Sequence, residues 1–365
     1  MSGAINIDRR RFFCTAAMIV GATRLGMITS AYGQTGKPRA PAQLPTEGQM
    51  PSFGRVTEWL NSKPLTTADL RGKVVLTSFW TYSCINWRRQ LPYVRAWAEK
   101  YSDEGLVVIG VHSPEFAFEK NVANVRWAAK EMRVDYPVVM DNEFGIWRAF
   151  KNQYWPALYF VDARGRIRHH QFGEGEYQQS ELVIQQLLVD AGIGDVKQGM
   201  VSIIGEGTEA PGDWTELKSP ENYVGYERTE GFKSRGGAIP DQRRLYVMPA
   251  TLNLNQWALT GDWTIEKQRI ILNNANGRIA YRFHARDLHL VMGPAAPGTS
   301  VRFRVLIDGN VPDAAHGIDV DDQGRGTVSQ SRMYQLIRQP KPSVDRQFEI
   351  EFIDSGVEAF SFTFG

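Results

Sequence analysis

The stretch Val74-Val75-Leu76-Thr77-Ser78-Phe79-Trp80-Thr81-Tyr82-Ser83-Cys84-Ile85-Asn86-Trp87 decides how this chain is read. Its first half is a short apolar run rich in β-branched residues, the pattern of a buried strand. Beyond Cys84, residues Leu91, Val94, Trp97, Ala98 and Tyr101 recur at helical spacing. They predict a helix from about Ile85 to Tyr101, kinked at Pro92. Cys84 is thereby placed where a strand hands over to the start of a helix. Free N–H groups and the helix dipole favour an anion there, so the thiolate is expected to be stabilised and its pKa to fall. Arg88 and Arg89, one turn on, add to that effect if they face the sulfur.

Leu106 to Val111 and Ala157 to Val161 read as further buried strands, and Glu119 to Met132 as a helix. Asp162-Ala163-Arg164-Gly165 is a hairpin turn from which Ile167 to Phe172 returns as a strand. A last helix runs from about Gln178 to Ala191 and stops at Gly192. Strands alternating with helices mean an α/β sheet with parallel pairs, closed here by an antiparallel hairpin and a helix. Residues 193–218 are a weakly patterned linker. From residue 219 the character changes to short apolar or alternating runs, among them 270–272, 279–283, 288–291, 301–307, 348–353 and 359–364. Turn signals such as Asn276-Gly277 and Asp308-Gly309 separate them, so residues 219–365 read as an all-β sandwich, jelly-roll-like.

A chain of 365 residues suits two domains, and 42% apolar residues can fill their cores. The formal net charge of +2 offers no basic field for nucleic acid. Only two cysteines are present, Cys14 and Cys84, which excludes a disulfide scaffold or a four-cysteine metal site. The N-terminus, Asp8-Arg9-Arg10-Arg11-Phe12-Phe13 before a moderately apolar run to Ala31, resembles a twin-arginine export signal. Arg24 splits that run into pieces too short to span ~30 Å of hydrocarbon. Residues 1–33 are thus expected to be a cleaved leader, 34–54 a linker and 55–192 the α/β domain. The leader holds four Arg against Asp8, a net +3, so the remainder carries −1. Its address is expected to be periplasmic or otherwise extracytoplasmic.

Phe79 to Asn86 resembles the active-site segment of the thioredoxin family, and more closely that of TlpA-like and DipZ-type proteins. Leu91-Pro92-Tyr93-Val94-Arg95-Ala96-Trp97, Val111-His112-Ser113-Pro114-Glu115-Phe116 and Trp155-Pro156-Ala157-Leu158-Tyr159-Phe160-Val161-Asp162 continue the resemblance. Leu254-Asn255-Gln256-Trp257, Arg278 to Leu290 and Met333-Tyr334-Gln335-Leu336 resemble the DipZ-type C-terminal module. The resemblance implies a thioredoxin-like fold with a cis bond at Pro156, which holds Trp155 as a docking edge for an extended peptide. It implies Cys84 as the nucleophile and Glu115 as proton carrier, because the position of the buried thioredoxin carboxylate is Ser78 here. Cys84, Glu115 and Pro156 are therefore the expected catalytic residues, and Trp80, Trp87 and Trp155 the expected substrate contacts.

Family members of the dithiol kind carry a second cysteine where this chain has Trp87. With Cys14 gone, no second sulfur exists to resolve a mixed disulfide, so ordinary dithiol turnover is impossible. Three readings follow. Cys84 works alone through mixed disulfides with protein or small thiols and disulfides. Alternatively it is a one-cysteine peroxidase or redox sensor passing through sulfenic acid. In the third, the fold is a non-catalytic binding module. No cofactor and no metal are expected. A membrane electron donor and a glycan on the aromatics Trp257, Trp263, Tyr226, Tyr281 and Tyr334 are further candidate partners. Asp319, Asp321 and Asp322 hint weakly at calcium.

Overall fold

The computed structural model describes residues 44–54 and 58–365. The leader reading, residues 1–33, lies outside them. The first sheet has seven strands: β1 (Gly48–Gln49), β2 (Trp59–Leu60), β3 (Val74–Trp80), β4 (Leu106–His112), β5 (Val138–Met140), β6 (Ala157–Val161) and β7 (Arg166–Phe172). Their spatial order is β1-β7-β6-β3-β4-β5-β2. β3, β4 and β5 run parallel, whereas β6 and β7 return antiparallel. Helices α1 (Ile85–Tyr101), α2 (Val122–Glu131), α3 (Gly145–Ala149) and α4 (Tyr177–Asp190) connect or follow them. β3 alternates as a two-sided buried strand must. Val74, Leu76 and Trp80 enter the core under α1 and α4, while Val75 and Phe79 enter the core on the α3 side.

Residues 44–54, expected to be linker, belong in part to this sheet. β1 pairs with β7, and Leu44 and Phe53 are buried. The stretch is short and rich in proline, so its two paired residues leave no periodic trace.

The second sheet system comprises β8 (Asn222–Tyr223), β9 (Arg243–Tyr246), β10 (Trp257–Ile265), β11 (Ile270–Leu272), β12 (Gly277–Phe283) and β13 (Asp287–Pro294). It is completed by β14 (Val301–Ile307), β15 (Arg325–Val328), β16 (Arg332–Arg338), β17 (Arg346–Phe352) and β18 (Val357–Phe364). β10 belongs to both layers. Its first half pairs with β12 and its second half with β9 and β11. Gly261, at φ +107°, sits at the changeover, where a side chain would press on the Gly277 backbone. The two layers close on one apolar core, as expected of a sandwich.

That core absorbs four of the five aromatics suggested as a sugar platform, and the fifth, Tyr226, is half-buried against it. Trp257, Trp263, Tyr281 and Tyr334 are all fully buried, so their faces are spent on packing. Asp319 is likewise committed, ion-paired with Arg332 at 2.6 Å and accepting from the Gln335 amide. Among the described residues no group of side chains has the make-up of a metal site, and no helix is long and apolar enough to cross a membrane.

The two halves meet in a packed seam. Ile85 and Phe116 of the first pack with Val291, Met333 and Phe360 of the second. The segment between them is tied down rather than loose. Arg95 forks onto Glu209 at 2.8 and 3.0 Å, and Arg88 donates to Thr208 at 2.8 Å. Arg338, from β16, donates to the Gly207 carbonyl.

Candidate active site at Cys84

Sheet register brings three segments together at one end of the central strands of the first sheet. Trp80 lies beside His112 on β4, and Phe79 beside Ala157 on β6. The residues that follow β3 (81–84), those that follow β4 (113–116) and those that precede β6 (155–156) therefore converge. Hydrogen bonds lace them together. The Ser113 amide donates to the Trp80 carbonyl, and Trp155 Nε1 donates to the Ser113 carbonyl, both at 3.0 Å. The Trp155–Pro156 peptide is cis. Cys84, the sole cysteine among the described residues, caps α1 in an extended conformation and is partly exposed.

The electrostatics at the sulfur run against the expectation from the helix terminus. Burial pushes the Cys84 thiol up, and this outweighs the opposing pull of the Trp87 and Asn86 main-chain amides at the start of α1. Glu115 and Glu221 push it further in the same direction through their negative charge. The two arginines of α1 are committed elsewhere. Arg88 serves Thr208; Arg89 is buried, 3.3 Å from Glu174 and over the Trp214 ring. The dipole argument is local, whereas the desolvation is tertiary: Cys84 packs against the first-half core, and the second half packs over its neighbour Ile85.

Trp80 and Trp87 are corrected as substrate contacts. Both have 0% exposure and stack at 4.3 Å between ring centroids. The second-sulfur position faces inward at the third residue of α1, so tryptophan there fills the core rather than a binding face. His112 is packed too, its ring edge-on to Trp80, and burial lowers its pKa to about 3. Trp155 is only partly buried and leans on Trp147 at 4.1 Å.

Glu115 is at the convergence, as placed from the sequence, but its side chain turns to the second half. Its Oε1 accepts from the Tyr223 hydroxyl and lies 3.8 Å from Arg228 Nη1. A second carboxylate escaped the sequence reading. Glu119 is wholly buried and accepts from Ser83 Oγ at 2.6 Å, from the Glu115 amide at 2.6 Å and from the Phe116 amide at 2.9 Å. It ties the Cys84 loop to the Glu115 loop. The available signal was its place three residues after Phe116, at the start of a helical turn (Ala117–Lys120).

A strand-to-helix cysteine, a cis-proline loop beside it and a central sheet of this order define a thioredoxin-like redox fold. Comparison with known proteins agrees: residues 47–170 match the AhpC/TSA family and residues 219–365 the thioredoxin-like C-terminal domain. The chain is 36% identical over 329 residues to protein DipZ of Mycobacterium tuberculosis, covering 89% of this chain and 44% of DipZ. It thus spans less than half the length of that relative. It is 33% identical over 137 residues to the thiol:disulfide interchange protein DsbE of Pseudomonas fluorescens, covering 36% of this chain and 71% of DsbE. The thiol-disulfide oxidoreductase YkuV of Bacillus subtilis is 28% identical over 141 residues, 39% of this chain and 95% of YkuV. The chain belongs to the thioredoxin-like thiol–disulfide oxidoreductase family.

Proposed function

We propose that this protein is an exported monothiol oxidoreductase acting through mixed disulfides of Cys84. The thiol gives up its proton as the sulfur attacks a substrate disulfide R–S–S–R′. A Cys84–S–S–R bond forms, the R–S bond to R′ breaks, and R′–S⁻ leaves and takes up a proton, with Glu115 as carrier. A second thiol R″SH then attacks the mixed disulfide, releases R–S–S–R″ and restores Cys84. Trp87 cannot perform that second step, so the resolving thiol comes from outside. The cis Pro156 loop supplies the edge on which an extended substrate docks. Arg9-Arg10 directs export, to a compartment where disulfide substrates persist and a membrane donor supplies electrons.

What supports this reading most is the place of Cys84, a partly exposed free thiol at the N-terminus of α1, in a family of thiol–disulfide exchangers. The test is incubation of the full chain with oxidised glutathione, followed by peptide-resolved mass spectrometry. The expected result is one glutathionyl adduct on the Cys84 peptide, reversed by added thiol and absent in Cys84→Ser. No adduct at any pH, with alkylation equally slow, sinks the exchange reading and leaves a binding module. A dimedone-trapped sulfenic acid after peroxide, without a glutathione adduct, replaces it by the peroxidatic one.

A further inference from the structure

We propose that the sandwich is part of the Cys84 site: Tyr223 and Arg228 are positioning residues that fix the carboxylate of Glu115, whose loop Glu119 joins to Ser83 next to Cys84, and so govern the reactivity of the sulfur. This rests on the reading of Cys84 as the reactive group.

The geometry is specific. Tyr223 lies on the two-residue strand β8, paired with β18 opposite Ser361. The neighbour of Ser361 is Phe360, which packs into the seam against Phe116 at 5.2 Å and Phe118 at 4.8 Å. The seam thus presents the Tyr223 hydroxyl to Glu115 Oε1. The Arg228 guanidinium lies 3.4 Å from the Tyr223 ring centroid and 3.8 Å from the same carboxylate oxygen. Glu115 is therefore held at both ends. Glu119 takes its main-chain amide, and the sandwich takes its side chain. A carboxylate gripped this way keeps its charge in one place, and that charge acts on Cys84.

The charged and titratable groups around the Cys84 and Glu115 loops come from every element packed there. Glu115 follows β4 and Glu119 lies in the turn beyond. Glu221, Tyr223 and Arg228 come from the sandwich, and Arg88 from α1 is bonded to Thr208. Within this set Tyr223 and Arg228 act on the sulfur in opposite senses. Losing the Tyr223 hydroxyl lets the carboxylate turn away, which eases thiolate formation. Losing Arg228 leaves the Glu115 charge uncompensated, which hinders it.

The experiment is the rate of Cys84 alkylation by iodoacetamide against pH in the full chain, read on the Cys84 peptide. Iodide leaves without needing a proton, so the pH dependence of the rate follows the thiolate population, while access to the sulfur scales the rate alike at every pH. Glu115→Gln is expected to speed alkylation at pH 8 by about 10-fold, the equivalent of one pH unit in the profile. Tyr223→Phe should move the profile in the same direction by less, and Arg228→Gln in the opposite direction. Neither should add a shift in the Glu115→Gln background. Unchanged profiles, or shifts of equal size with and without Glu115, overturn the proposal. Should Tyr223→Phe fail to fold, the Arg228→Gln pair decides alone. The outcomes separate from those of the exchange reading. A Glu115-dependent shift without any glutathione adduct keeps the positioning role and removes the exchange activity.

Discussion

Trp87 occupies the place where dithiol relatives keep a second sulfur, and the core has closed around the replacement. Its ring is fully buried against Trp80. Trp87→Cys restores the sulfur but empties a large volume, and a cost of about 3–5 kcal/mol is expected from such truncations. A urea titration should show that drop, and an insulin-reduction assay should show activity above wild type. Activity at background in a folded variant would mean the site has changed beyond position 87. His112 makes a second prediction. Its folded-state pKa of about 3 lies below the ordinary 6.5. The unfolded chain therefore takes the proton first as pH falls. Stability is kept above about pH 6.5 and lost below it, by ~1.4 kcal/mol per pH unit until the folded pKa is reached. His112→Phe should flatten the acid side of a plot of urea midpoint against pH; an unchanged slope would contradict the burial of a neutral ring.

At the scale of elements, apolar periodicity was a sound guide wherever a segment was long and two-sided. β3, β6 and α1 have the bounds their patterns predict, because each presents continuous apolar residues to a core. The helix expected over 119–132 is divided. A short turn ends at Lys120, and the Asn121 side chain caps α2 by accepting from the Ala123 amide at 2.9 Å. β1, β2, β5 and α3 were not legible, being too short to carry a period. β10 was hidden because Gly261-Asp262 interrupts its alternation at the point where it changes sheets. The segment 193–218 reads as linker yet is packed on the first half, since the Arg95–Glu209 ion pair, the Arg88–Thr208 hydrogen bond and the scattered apolar residues Ile193, Val196 and Val201 hold it without a periodic pattern. Arg95→Ala removes the fork onto Glu209. A loss of ~1–2 kcal/mol is expected, with faster amide exchange over residues 199–209. Exchange confined to its wild-type rate would show that the tether is not what orders this segment.

For the whole molecule, the seam between the halves is the decisive feature. It covers the residue next to Cys84 and carries Tyr223 to Glu115 across 108 positions of sequence. Phe360→Ala should loosen it, at a cost of about 3 kcal/mol. Because burial is the chief cause holding the thiol up, alkylation of Cys84 at neutral pH should accelerate in that variant. A rate equal to wild type would mean the sandwich does not shield the sulfur. Read alone, the sequence carries the α/β order of the first half, the β character of the second, and the placing of Cys84 between a strand and a helix. These are local properties, carried by periodicity, turn residues and composition. Only the tertiary structure decided whether Cys84 is favoured as a thiolate, where Trp80 and Trp87 go, and which groups hold Glu115. Desolvation and charge at one atom are sums over neighbours in space, and here those neighbours come from the first-half core, from the Glu115 loop and, through Glu221, from the distant sandwich.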